Sequence, residues 1–169
     1  MALSIYEVSI PVLIRGLGIL SALLRKGEAH AVAAGTDPNV LVAARLAPDM
    51  LSLAGQVQRA SDTAKLAASR LSGTQAPTFP DNETTFTELQ GRIHQTVVFL
   101  ETFKERQFAD AEAREITLGS GDTARQLTGS SYVLTFTLPN FFFHLTTAYD
   151  ILRHNDVPVG KRDYLWPTA

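Results

Sequence analysis

The chain has 169 residues, 45% of them hydrophobic and 19% charged, with a formal net charge of −2; this fits one globular domain over residues 1–169 with a sizeable core. The slightly acidic balance supplies no basic field for a phosphate backbone, which argues against a nucleic-acid partner. The absence of cysteine excludes disulfides, thiolate catalysis and cysteine-ligated zinc, and fits a reducing cytoplasm.

The first thirty residues are apolar, but they lack a positively charged start, and Glu7, Arg15, Arg25 and Lys26 interrupt them at helical intervals. An amphipathic core helix is therefore expected, with neither a signal peptide nor a membrane span. Ser4-Ile5-Tyr6-Glu7 matches a capping box, in which hydroxyl and carboxylate each satisfy an exposed backbone N–H. The helix it opens is expected from about Ile5 to Ala33, ending at Gly35, with a kink at Pro11. Asp37 as cap and Pro38 at the first helical position predict a short helical turn. A second long helix is expected from Pro48 to Leu71, ending at Ser72-Gly73.

The segment "GTQAPTFPDNE" has two prolines and no helical period, so it reads as a loop. Thr85-Phe86-Thr87-Glu88 is a second capping-box match and opens a third helix through about Phe103. Its core face is marked by Phe86, Leu89, Ile93, Val97 and Leu100. "REITLGSGDTARQLT" alternates modestly around a "GSGD" turn and predicts a short β-hairpin or an ordered loop. Gly129-Ser130-Ser131 then caps a fourth helix from about Tyr132 to His154, bent by Pro139 just before His144. The tail from Asn155 onward reads as a loop with aromatic anchors. Four long helices with one interrupted crossover make an all-α four-helix bundle.

In a bundle, sites are built from side chains that point inward from facing helices. Asn140 and His144 are one turn apart on the last helix, on a stripe continued by Thr137, Ala148 and Ile151. Tyr149 and Arg153 form a second pair on the flank. On the second long helix Asp49, Ser52, Gln56 and Thr63 share one side, with Gln58, Asp62 and Lys65 on another. A small polar pocket is thus expected from His144, Asn140, Asp49 and Gln56, flanked by Tyr149 and Arg153. The alternative reading of His144 is a core histidine bonded to Asn140, Gln56 or a backbone carbonyl.

The chain has four histidines: His30, His94, His144 and His154. The last two lie about three turns apart on one helix and cannot share a metal, and no HxxxH or ExxH pair occurs. His154 reads as a helix-end cation, and His94 as an exposed or groove residue. Asp49 and Asp62 are too far apart for a carboxylate dyad and read as capping or solvated residues. No Gly-x-Ser-x-Gly elbow, P-loop or dinucleotide fingerprint is present.

Two segments, "ARLAPDM…QVQRASDTAK" (Ala44 to Lys65) and "LPNFFFHLTTAYDILRHNDVPVGKRDYL" (Leu138 to Leu165), resemble an uncharacterised bacterial branch of the DinB-like superfamily. The opening "SIYEVSIPVLIRGLGILSALLRKGEAH" also fits that branch. The superfamily includes YfiT-type proteins classed as metal-dependent hydrolases. The resemblance implies an up-down-down-up bundle, often a homodimer. It also implies a divalent metal, commonly nickel or zinc, held by three histidines, and in some members thiol transfer. His144 matches the final histidine of that set. The position four residues earlier is Asn140, and the second-helix histidine is replaced by Asp49 or Gln56 as nearest polar residues.

The expectation is therefore a bundle that binds a small ligand around His144 and has lost the three-histidine metal site. The alternative is a hydrolase or thiol transferase that uses nickel, zinc or iron with His144 as ligand. A third reading is a purely structural protein in which these polar residues set helix register.

Overall fold

Helix α1, Ile5–Ala33, begins with the expected capping box: Ser4 Oγ accepts from the Glu7 N–H, and the Glu7 carboxylate accepts from the Ser4 N–H at 2.9 Å. The structure, a computed structural model, describes residues 3–166, so the first two and last three positions of the expected domain lie outside it. By length and composition α1 could cross a membrane, but 56% of its most apolar window is buried inside the fold. It is the central core helix, with Ile10, Leu13, Leu17, Leu20, Leu23 and Leu24 fully enclosed. Helix α2, Pro38–Ala43, starts at the Asp37 cap with proline in its first turn.

The second long helix, α3, spans Leu53–Ser72 and is capped by Ser52. This corrects the expected start at Pro48. Residues 47–50 form a turn instead, closed by Met50 N–H donating to Ala47 O at 3.0 Å. Gly73, at φ 80°, ends α3 in the left-handed region, a conformation that favours glycine. Helix α4, Phe86–Glu101, opens with the second capping box, Thr85 and Glu88 exchanging bonds of 3.2 and 3.0 Å.

The hairpin is present as β1, Glu115–Leu118, paired antiparallel with β2, Arg125–Thr128. The chain then enters a helical turn, α5, Gly129–Ser131, with Thr128 rather than Gly129 as its cap, and widens into a π-helical turn, Tyr132–Thr137. Helix α6, Leu138–His154, follows with Pro139 in its first turn. The π turn explains how Pro139 is tolerated: its missing N–H falls where the regular ladder has already been interrupted. The tail, expected as a loop, carries helix α7, Lys161–Leu165, tied to α1 by the Lys26–Asp163 ion pair at 2.5 Å.

Residue pairs fix the helix directions. Gly16 faces Phe141 and Gly27 faces Leu152, so α1 and α6 run parallel. Tyr6 bonds Phe103 O, and Ser21 bonds Gln90, so α1 and α4 are antiparallel. The loop after α3 runs back along it, placing Glu83 against Gln58, and α4 then descends beside α3 with Asp62 on Arg92 and Ser61 on Thr96. The result is the expected up-down-down-up bundle.

The phenylalanine run divides its three rings among core, edge and solvent. Phe141 is fully buried against Gly16, where an added Cβ would lie 2.3 Å from the ring; burying such a ring contributes about 1.5–3 kcal/mol. Phe142 packs partly buried against the core, and Phe143 is 56% exposed.

Candidate functional site

Helices α3 and α6 pack against each other along a seam, and α3 buries four alanines in the bundle, Ala60, Ala64, Ala67 and Ala68. Small side chains let the two backbones approach, and the longer polar residues between them then face partners across the contact. His144 Nδ1 lies 2.7 Å from Gln56 Oε1. Asn140 Nδ2 donates to Thr63 Oγ1 at 2.7 Å, and that hydroxyl donates to Arg59 O at 2.7 Å. Arg70 Nη1 donates to Tyr132 O–H at 2.9 Å. The seam is thus a ladder of three polar rungs between antiparallel helices.

The orientation of the Gln56 amide follows from its second bond. Its Nε2 donates to Leu51 O at 3.2 Å, which turns Oε1 toward the imidazole. Nδ1 is then the protonated nitrogen, and Nε2 keeps its lone pair. Burial, followed by the nearby charge of Arg59, lowers the His144 pKa below its ordinary value, so the ring is neutral at pH 7. His144 Nε2 and Asn140 Oδ1 make no hydrogen bond among the described residues. Thr137 Oγ1, fully buried one turn before Asn140, finds no partner there either. The seam therefore holds unused hydrogen-bonding capacity beside a neutral imidazole.

Of the residues expected in one pocket, the structure brings Gln56 to His144 and sends the others elsewhere. Asn140 bonds Thr63 rather than His144. Asp49 is exposed in the turn before α3, because that helix begins at Ser52 and the stripe containing Asp49 is never formed. Tyr149 packs edge-on against Tyr164, with ring centroids 6.1 Å apart, and Arg153 donates to Val159 O at 3.2 Å. Both hold the C-terminal segment in place and do not flank His144. His154 lies exposed in the last turn of α6. His94 lies exposed beside a cavity of about 320 Å³ formed with Gly18, Ser21, Gln90, Ile93 and Val97.

The donor set at His144 does not fit a divalent transition metal. One imidazole, already bonded through Nδ1, faces two neutral amides, and amide oxygens are weak ligands for zinc or nickel. Among the described residues no group of three or more His, Cys, Asp or Glu side chains could hold a metal ion.

A second polar assembly lies on the opposite side of α3 and was not anticipated. Arg92 of α4 has a side chain only 1% exposed, with Asp62 at 2.8 Å, Glu83 at 2.9 Å and Asp81 at 3.0 Å. It also donates to Pro80 O and Ser61 Oγ. Lys65 pairs with Asp62 at 2.9 Å, and Arg59 pairs with Asp81. The Phe79 ring receives Lys65 at 4.4 Å and Arg92 at 5.6 Å from its centroid. Three cations meet three carboxylates, so the cluster is neutral overall. Burial opposes ionisation of Glu83, but hydrogen bonds from Arg92 and Gln58 outweigh it and lower its pKa. Asp62, expected to be solvated, is the shared carboxylate of this cluster. The sequence signal was present in "FPDNE" opposite Asp62 and Lys65, but only the returning loop brings the charges together.

The ring of four helices, with a histidine on the last one facing the second long helix, defines a DinB-like bundle. The chain belongs to the family of a domain of unknown function, DUF1993, whose model matches residues 5–165. It is similar to a DinB family member protein from Shewanella denitrificans whose crystal structure is known. The two share 41% identity with a TM-score of 0.90, over 97% of this chain and 92% of that one. No curated protein matches the chain.

Proposed function

We propose that this protein binds a small ligand at the α3–α6 seam, with the Nε2 lone pair of His144 as the principal recognition atom and without a catalytic metal. One observation carries this reading. The Leu51 carbonyl orients Gln56, Gln56 orients His144, and the free face of the imidazole is left neutral and half-buried. A register-setting role needs only the Nδ1–Gln56 bond, and the Nε2 edge, which the fold does not enclose, stays open to a donor from solution. The protein is read as a cytoplasmic homodimer, in keeping with its cysteine-free composition and the exposed Leu134 and Phe136 of the π turn and Phe143 of α6.

The test is ¹⁵N NMR of the His144 imidazole during a small-molecule screen, paired with thermal shifts of wild type and His144→Ala. Ligands that move the Nε2 resonance and stabilise only the wild type are expected. The rival metal-dependent hydrolase or thiol transferase has one supporting observation, since an imidazole held through Nδ1 also resembles a ligand oriented by its outer shell. Stoichiometric nickel, zinc or iron in protein purified without chelator, lost in His144→Ala, would overturn the proposal in favour of that rival. Sedimentation at micromolar concentration that gives only an 18.4 kDa species would refute the dimer.

A further inference from the structure

A cavity between α6 and α7 belongs to neither polar assembly. It measures about 240 Å³ and is walled by Thr146, Tyr149 and Asp150 of α6 with Lys161 and Tyr164 of α7. The rings of Tyr149 and Tyr164 meet edge to face at 87°, with centroids 6.1 Å apart, and so form an aromatic corner. The Thr146 and Tyr164 hydroxyls, 3.1 Å apart, join the two helices beside it. Helix α7 is held in place from α1: Lys26 pairs with Asp163, and Arg15 Nη2 donates to Leu165 O at 2.6 Å. The corner is therefore fixed by the fold and needs no ligand to assemble it.

The charged groups of this cavity are not used by the fold. Asp150 is partly buried, and Arg153 and His154 follow it by three and four residues, the spacing at which a helical carboxylate meets a cation. Neither takes it. Arg153 is turned to Val159 O at 3.2 Å, and His154 is exposed. Among the described residues the Asp150 carboxylate and the Lys161 ammonium have no ion pair or hydrogen bond, with each other or with any other group, although they line the same cavity. The Tyr149 hydroxyl has no partner there either.

An aromatic corner beside a free carboxylate attracts an organic ammonium, because ring quadrupole and charge act in the same direction. Lys161, on the other helix of the same cavity, repels a simple cation and attracts an anion. A ligand that carries both charges satisfies both walls. The volume lies below the roughly 300–1,000 Å³ of sites for drug-sized molecules, so that ligand is small.

The geometry points to this cavity as a binding site for a small zwitterion, an ammonium and a carboxylate joined by a short aliphatic chain. The ammonium lies against Asp150 and the Tyr149–Tyr164 corner, and the carboxylate on Lys161. The site shares no residue with the His144 seam and does not depend on the ligand-binding reading of that histidine.

The experiment is an NMR titration of the full-length protein with glycine and with γ-aminobutyrate, a short and a longer zwitterion, and with methylammonium and acetate, which each carry one of the two charges. At least one zwitterion is expected to move the Tyr149 and Tyr164 ring signals and the Asp150 and Lys161 amides along one isotherm. Methylammonium and acetate are expected to bind at least about fivefold more weakly, each lacking one partly exposed ion pair. Asp150→Asn and Lys161→Gln remove no ion pair or hydrogen bond among the described residues, and each is expected to weaken the zwitterion about fivefold for the same reason. His144→Ala is expected to leave this affinity unchanged. No response to either zwitterion overturns the inference, and so does an affinity that is unchanged in Asp150→Asn or in Lys161→Gln. Methylammonium binding as tightly as the zwitterions overturns it too, since Lys161 would then contribute nothing.

Discussion

The two polar assemblies on either side of α3 differ in how completely their atoms are used. Around Arg92, guanidinium, carboxylates, hydroxyls and a backbone carbonyl satisfy one another, and three positive charges balance three negative ones. Along the α3–α6 seam the rungs of His144 and Asn140 are neutral, each crosses the seam by a single bond, and His144 Nε2 has no partner among the described residues. A buried charge left unpaired is far more costly than an unused imidazole lone pair at a half-open edge. A charged cluster must therefore be saturated for the fold to stand, while a neutral seam tolerates spare capacity, and spare capacity is what a ligand can use.

Breaking the saturated cluster is expected to have the largest effect. Arg92→Ala leaves Glu83 without a cation, removes one of the partners of Asp62 and releases the loop that Arg92 holds; a loss of about 3–5 kcal/mol is expected. Urea denaturation measures it, and faster proteolysis within residues 74–85 should accompany it. A loss below about 1 kcal/mol would show that the cluster is an ordinary surface network.

The seam should respond less, and differently. His144→Ala leaves Gln56 Oε1 without its donor and is expected to cost about 1–3 kcal/mol. The double change His144→Leu with Gln56→Leu removes both partners and is expected to be close to neutral. Should the double variant be less stable than the sum of the singles, the seam would be a structural requirement after all.

Acid separates the two regions along the pH axis. The folded-state pKa of His144 lies below its ordinary value of 6.5, so the unfolded chain binds the proton first. Its contribution is fully present above about pH 6.5 and is lost as pH falls through the lowered folded value. Glu83 is lowered from 4.5, so its contribution is present above about pH 4.5 and disappears at more acidic pH. His144→Gln should flatten the stability profile only in the upper window, and Glu83→Gln only in the lower one. Identical profiles for the two variants would contradict the assignment.

The smallest change is expected at the exposed edge of the charged cluster. Asp81→Asn should alter stability by no more than about 1 kcal/mol, because its pair with Arg59 is open to solvent. A larger loss in thermal melts would mean that Asp81 belongs to the buried part of the cluster.

Much of the fold was legible because it rests on local rules. Both capping boxes, the Asp37-Pro38 start, the Gly73 stop and the "GSGD" hairpin depend on residues within a few positions of one another. The site was legible only in part. Gln56 and His144 could be matched because both lie on regular helix faces. Asp49 was misplaced because Pro48 resembles a helix start, while Ser52 makes the better cap with Gly55 N–H at 3.3 Å. Tyr149 and Arg153 were misread because helix α7 and the segment around Val159 return to cover that flank.

By itself, then, the sequence determined four amphipathic helices, the ends that carry a capping box or a glycine stop, and the polar character of the α3 and α6 faces, since periodicity and capping are properties of neighbours along the chain. The tertiary structure alone decided that the loop after α3 runs back alongside it. That return puts Asp81 and Glu83 on cations of α3 and α4, and so saturates one polar assembly. It decided equally that Gln56 of α3 meets Nδ1 of His144 on α6, leaving the other nitrogen without a protein partner among the described residues. Both outcomes depend on which residues meet across the bundle, and pairing over 80 or more positions of chain, as between Gln56 and His144, has no local signature to read.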